Sequence, residues 1–187
     1  MNTIKKISIT LLGCMLLATG ASAQTFHYNT TRTFHEAGFT YQANVSPTGM
    51  VVLFNANNRH DPNLRQTYRD GSPLPPFSRD PTPLITPSGT MPIVENIVWN
   101  ALTPAERQRM GDWPLSVRLY VNQAATTPQP VEVKFGFSTT SPFATLPVSV
   151  YRRIELEILR EVRLMPTERG RTRNFNVRTI PVILSEL

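Results

Sequence analysis

The chain is 187 residues long, with 40% hydrophobic residues, 17 prolines, one cysteine and a formal charge of +6 at pH 7. That length suits one domain with an N-terminal extension and can bury a self-sufficient core. A lone cysteine excludes a disulfide framework and a cysteine-built metal site, and the modest positive charge permits contact with acidic surfaces without requiring nucleic acid.

Residues 1–23 read as a signal peptide. Lys5 and Lys6 precede an uncharged, mostly apolar stretch over 7–20, and Ala21-Ser22-Ala23 forms a small-x-small cleavage site before Gln24. The apolar part is short for a membrane span. Leu11-Leu12-Gly13-Cys14 is similar to a bacterial lipobox, which keeps lipidation at Cys14, and membrane contact through it, open as an alternative. Met15, Leu16, Leu17 and Ala18 follow where lipoproteins carry a polar linker, so cleavage near Ala23 is the favoured reading. The mature chain would then be periplasmic or secreted and free of cysteine.

Residues 24–72 predict an N-terminal β-hairpin region. Residues 25–35 are polar and aromatic without a clear period. Phe39, Tyr41, Ala43 and Val45 alternate with Thr40, Gln42 and Asn44, the two-residue period of a half-buried strand. Pro47-Thr48-Gly49 supplies a turn, and the apolar run 50–54 returns as a second strand. The Asn-, Asp- and Pro-rich stretch 55–63 reads as a loop, 65–69 as a short strand, and Asp70-Gly71 as a tight turn. Residues 73–92 hold seven prolines and predict an irregular connector.

Residues 93–187 predict an α+β domain. Ile93, Val94, Ile97, Val98, Ala101 and Leu102 recur at helical spacing, with Pro92 in the first turn. Thr103-Pro104-Ala105-Glu106 has the order of a capping box, and Gly111 closes that second helix. Val117, Leu119 and Val121 alternate with polar residues, as do Val131, Val133, Phe135 and Phe137, which makes an adjacent antiparallel pair. Val150, Tyr151, Ile154, Ile158, Leu159 and Val162 form the apolar stripe of a helix, with Arg152, Arg153, Glu155, Glu157, Arg160, Glu161 and Arg163 assigned to its solvated face. Pro166 stops the helix, residues 168–171 turn, and 174–184 form a last strand that Pro181 demotes to an edge. The fold class is therefore an antiparallel sheet covered by one amphipathic helix, in ββαβ order, preceded by the hairpin and the connector.

Two resemblances follow. Val117-Arg-Leu-Tyr-Val121, Val131-Glu-Val-Lys-Phe-Gly-Phe137, Val162-Arg-Leu-Met-Pro166 and Val177-Arg-Thr-Ile-Pro-Val-Ile-Leu184 resemble the C-terminal ββαβ module of the TonB energy transducers. That resemblance implies binding of a receptor segment as an added strand; a cleaved signal would leave no inner-membrane anchor for energy transduction. Phe39-Thr-Tyr-Gln42, Asp70-Gly-Ser-Pro73, Leu102-Thr-Pro-Ala-Glu106, Tyr151-Arg-Arg-Ile-Glu-Leu-Glu157 and Pro166-Thr-Glu-Arg-Gly170 resemble an exported family of unknown function from Gram-negative gut commensals. It implies a location and no activity.

The chemistry of catalysis is not legible in the chain. H-E-x-x-H, G-x-S-x-G, S-x-x-K and phosphate-loop motifs are missing from the sequence. His27, His35 and His60 match no metal-ligand spacing, so no metal and no cofactor is expected. Glu155 and Glu157 are two apart on a helix and do not form a catalytic pair. Arginines dominate the last third, but Glu155, Glu157, Glu161 and Glu168 are interleaved with them. The expectation is a non-enzymatic envelope module that binds a protein or peptide segment along the last strand by β-augmentation, through Arg171, Arg173, Val177, Arg178 and Ile180. No nucleic-acid partner is expected. The alternative is binding of an anionic glycan or envelope polymer through Trp99, Trp113, Tyr120 and the arginines.

Overall fold

The alternation in the sequence builds the sheet. The structure, a computed structural model, describes residues 25–60, 65–74, 83–122 and 129–187. The expected signal peptide with Cys14, the centre of the proline-rich connector and most of the loop after Asn122 lie outside the described residues.

Strands β1 (Arg32–Glu36), β2 (Phe39–Val45), β3 (Met50–Asn55), β5 (Leu115–Asn122), β6 (Glu132–Ser138) and β8 (Phe175–Val182) form one antiparallel sheet in the order β1-β2-β3-β6-β5-β8. A second sheet is made of two short strands, β4 (Leu84–Ile85) and β7 (Met165–Pro166). Helices α1 (Thr90–Ala101), α2 (Pro104–Met110) and α3 (Val148–Glu161) complete an α+β fold. The N-terminal hairpin is joined to the C-terminal strands through β3 and β6, with Leu53 opposite Phe135.

β1 is a strand that sequence pattern did not reveal. Phe34 is its one large apolar residue, so no alternation shows, and it pairs with Tyr41 on the core side. Ala37 (φ 47°) and Gly38 (φ 81°) make a two-residue turn with both central residues at positive φ. That geometry matches the twist of the strands it joins. The stretch 65–69 makes only isolated bridges, Thr67 to Pro73 and Tyr68 to Arg173, rather than the expected short strand. The Asp70-Gly71 turn is present, with Gly71 at φ 86°.

One face of the sheet is the core. Val51, Leu53, Val117, Leu119, Val133, Phe135, Ile180 and Val182 point there and are buried with Val94, Val98, Tyr151, Ile154 and Ile158 from α1 and α3. The capping box of α2 forms as its residues predict: Glu106 N–H donates to Thr103 Oγ1 at 3.3 Å, and Thr103 N–H donates to Glu106 Oε2 at 2.8 Å.

Two expectations for α3 are corrected. Glu155 is not on the solvated face: it is buried, accepting from the Tyr41 hydroxyl and, at 2.6 Å, from Arg152. It stands four positions after Tyr151, so it falls inside the covered stripe. Pro166 does not end the helix. The chain leaves α3 at Val162, which is extended (φ −76°, ψ 139°), and its buried side chain and that of Leu164 carry the chain to β7.

Candidate binding edge and open face

Sheet order leaves β8 with one neighbour, β5, and its other side is an edge. Pro181 fixes which backbone groups face outward. It lies opposite Ser116 and has no N–H, so it suits the non-hydrogen-bonded position of the ladder. The phase is confirmed from β5: Tyr120 C=O accepts from Val131 N–H at 2.8 Å, on the β6 side, so Tyr120, Arg118 and Ser116 turn their backbone groups away from β8. Phe175, Val177, Thr179 and Pro181 therefore turn theirs outward. Asn176, Arg178, Ile180 and Val182 bond to β5.

The start of that edge is closed. Gln66 Nε2 donates to Phe175 C=O at 3.0 Å, Asn174 N–H to Thr67 C=O at 3.0 Å, and Asn176 Nδ2 to Gly170 C=O at 2.9 Å. Beyond it the edge is open. Among the described residues no hydrogen bond reaches the outward groups of Val177, Thr179 or Pro181, and Thr179 and Pro181 are exposed. Two N–H and three C=O groups are thus presented in an extended row.

The face of the sheet turned away from the helices is open at one end and closed at the other. At the Pro181 end Met50, Trp113, Pro114, Ser116, Gly136 and Pro181 line a trench of about 190 Å³. Its walls are apolar, and Met50 (48% exposed) and Trp113 (41%) are wet in the free protein. A Cβ at Gly136 would lie 3.3 Å from Ser116 Cβ, so glycine there keeps the trench floor low.

At the far end of β6 the same face carries a buried polar knot. Glu132 Oε1 accepts from Arg59 N–H at 2.6 Å and lies 2.9 Å from His60 Nδ1, while its Oε2 accepts from His60 N–H at 3.2 Å. The Lys134 ammonium donates to His60 C=O and sits 4.5 Å from the Tyr120 ring centroid and 5.1 Å from that of Phe54. His60 stacks on Tyr120. A Lys, a Glu and a His together resemble acid–base machinery. Here Glu132 and Lys134 are buried, His60 is half-buried, and together they hold the loop after β3 onto the sheet.

The five residues singled out in sequence do not act as one surface. Ile180 is buried in the core, and Arg178 also points to the core side, with its Nε buried and without a partner among the described residues. Arg173 is buried beside Tyr68. Val177 is half-buried on the open face, with its backbone outward. Arg171 is exposed and meets Tyr68, Arg69, Asp70 and Ser72 around a depression of about 540 Å³. There Ser72 holds the Asp70 carboxyl below its ordinary range, by its hydroxyl first and then its N–H. Trp99, Trp113 and Tyr120 are likewise apart: Trp99 is on the helical side, Trp113 at the trench, and Tyr120 buried under His60. Of the trench residues, the sequence marks Trp113 only for the glycan alternative and does not mark Met50. An exposed Trp next to Pro114 just before a strand is the signal that was available.

The tyrosine hydroxyls of the core are not part of this edge. Burial pushes the Tyr41 hydroxyl far above its ordinary range, and the charge of Glu155 adds to it; burial does the same to Tyr28 and Tyr151.

Among the described residues no cluster of His, Cys, Asp or Glu is placed to hold a metal ion, and no helix is long and apolar enough to cross a membrane. A family described as a domain of unknown function, DUF5043, matches residues 24–180. A crystal structure of a DUF5043 family protein from Bacteroides uniformis is similar at 28% identity and a TM-score of 0.74, covering 84% of this chain and 87% of that one. No curated protein matches the chain.

Proposed function

Since the chain belongs to the DUF5043 family, whose description carries no activity, we propose its role from its own surface: an exported, non-enzymatic module of the Gram-negative envelope that binds a protein segment by adding it as a strand to β8. The observation that carries this reading is the open row of backbone groups at Val177, Thr179 and Pro181. An extended peptide satisfies such a row with main-chain hydrogen bonds, and pockets for alternate side chains supply the selectivity. The trench beside Pro181 and Trp113 is the pocket in reach, and its lining favours an apolar side chain in the partner. The resemblance in sequence of residues 117–121, 131–137, 162–166 and 177–184 to the TonB module supports the same binding mode. The basic, apolar and small-residue order of residues 1–23 supports export, with the mature chain periplasmic or secreted.

Pro181 limits the partner's length. It offers no donor, so pairing at that end rests on its C=O alone. The test is cross-linked capture from envelope fractions with the wild-type chain and with Val177→Pro and Thr179→Pro, each of which removes one outward N–H and no bond to β5. Loss of the captured partner with a melting temperature close to that of the wild type supports the reading. Equal capture by both variants overturns it.

A further inference from the structure

Just past β8, on the helical side of the molecule, Trp99, Pro104, Arg107, Gln108, Gly111 and Leu184 line a pocket of about 440 Å³. That volume lies in the range of small-molecule sites, roughly 300–1,000 Å³. The walls are an indole, a pyrrolidine ring and a leucine side chain. None of the lining residues is acidic, and Arg107 is the cation among them.

Arg107 is fixed before any ligand arrives. Its Nε donates to Trp99 C=O at 2.8 Å, and its guanidinium carbon sits 4.5 Å from the indole centroid. The carbonyl and the ring together set the plane of the guanidinium. Nε is engaged; among the described residues nothing accepts from the two terminal nitrogens. The adjacent carboxylate, Glu106, is held by Thr103 in the capping box of α2. A planar pair of donors thus stands at an apolar wall with no counter-charge in the lining.

We propose that this pocket binds a small organic acid, with an apolar or aromatic body against Trp99, Pro104 and Leu184 and its carboxylate held by the fork of Arg107. A guanidinium presents parallel N–H donors that match a carboxylate, and such charge-assisted bonds are stronger than neutral ones. One arginine matches a monoanion; no second cation lines the pocket to balance a dianion such as a phosphate monoester. The pre-set guanidinium plane lowers the ordering cost of binding. This site is independent of the β8 edge, and neither result below bears on strand addition.

The experiment uses Trp113→Phe as background, so that Trp99 is the one tryptophan reporting by fluorescence. Phenylbutyrate is titrated against phenylbutanol, which has the same body and no charge. The expected result is a saturable change in Trp99 emission with phenylbutyrate and binding of phenylbutanol weaker by about tenfold or more. Arg107→Met keeps a long apolar side chain near the indole and abolishes the preference for the acid. Arg107→Lys keeps the charge without the fork and retains part of that preference. Arg107 is half-exposed, so both variants are expected to melt close to the parent. Equal binding of acid and alcohol by the parent, no saturable change, or an undiminished preference in both Arg107 variants would overturn the assignment.

Discussion

The hydroxyl of Tyr41, in the middle of β2, donates to the carboxylate of Glu155, in the middle of α3. Both residues are buried, and Arg152 reaches the same carboxylate oxygen from one turn earlier on the helix. The N-terminal hairpin and the C-terminal helix are thereby tied through one charged group. A buried carboxylate costs desolvation, and that cost is offset only while its donors stay in place.

Tyr41→Phe removes one of those donors and changes little volume. A loss of about 1–3 kcal/mol is expected, read as a lower urea midpoint at an unchanged slope. Glu155→Leu alone leaves the Tyr41 hydroxyl buried without its acceptor. The double variant Tyr41→Phe/Glu155→Leu removes both polar partners, so its loss is smaller than the sum of the singles. A sum that is simply additive would show that the two groups do not act on each other.

Alkaline pH is expected to unfold the chain through its core tyrosines. The hydroxyls of Tyr28, Tyr41 and Tyr151 are all raised above their ordinary range, by burial first. An unfolded tyrosine ionises at about pH 10. Above that value the unfolded state binds fewer protons than the folded one, so stability falls as pH rises. It is fully present below the unfolded value and is lost toward the folded one. The expected slope is about 1.4 kcal/mol per pH unit for each such tyrosine. Tyr28→Phe, which removes the hydroxyl bonded to Leu146 C=O at 2.9 Å, should flatten the slope by one such increment. Denaturation curves at stepped pH measure it.

Much of the fold was legible because its signals are local. The strands at Val117–Val121 and Val133–Phe137 alternate cleanly, and Thr103 to Glu106 spells a capping box. Pro181 marks β8 as an edge from sequence alone, and it also fixes which residues turn outward. What could not be read depends on distant contacts. Phe34 is one apolar residue among polar neighbours, and pairing with β2, with Tyr41 and Tyr28 around its ring, makes β1 a strand. Glu155 looks like any solvated helix acid until Tyr41, far away in the chain, meets it. Arg173 and Ile180 belong to the expected binding residues in sequence and to the interior in space. The pocket at Trp99 joins α1, α2 and the residues after β8, a juxtaposition no motif encodes.

Glu132 holds the loop that follows β3 by accepting from two consecutive backbone N–H groups, those of Arg59 and His60. Glu132→Ala is expected to free both amides, and their hydrogen exchange should quicken to the rate of local opening while amides of β5 and β8 stay protected. Glu132 is buried and these are the amides it holds, so a global loss of about 1–3 kcal/mol is expected as well. Unchanged exchange at Arg59 and His60 would show that the loop is held by other contacts.

Gly170 passes under the carbonyl of Pro83 so closely that a Cβ there would collide with backbone. Backbone cannot rotate aside as a flexible side chain does. Gly170→Ala is expected to destabilise by about 1–3 kcal/mol through overpacking. The effect should concentrate on the β4–β7 pair, because Thr167 N–H also donates to Pro83 C=O at 3.0 Å. Faster proteolysis near residue 83 with a modest change in melting temperature is the measurement that checks it.

The phase of β8 gives the sharpest contrast between neighbouring positions. Val177 turns its N–H outward and Arg178 turns its N–H to Leu119 on β5. Proline removes the N–H in either case, and its ring is tolerated in a strand where that side faces solvent. Val177→Pro should therefore fold with a small loss, as the natural Pro181 does two outward positions later. Arg178→Pro removes a ladder bond and drives the ring against β5, with an expected loss of about 3 kcal/mol or more. Arg178→Ala separates the side chain from the backbone: it deletes the guanidinium whose Nε is buried without a partner, so its loss should be far smaller than that of the proline variant. Chemical denaturation of the three variants decides it, and equal losses for Val177→Pro and Arg178→Pro would reverse the assignment of which groups β8 presents to a partner.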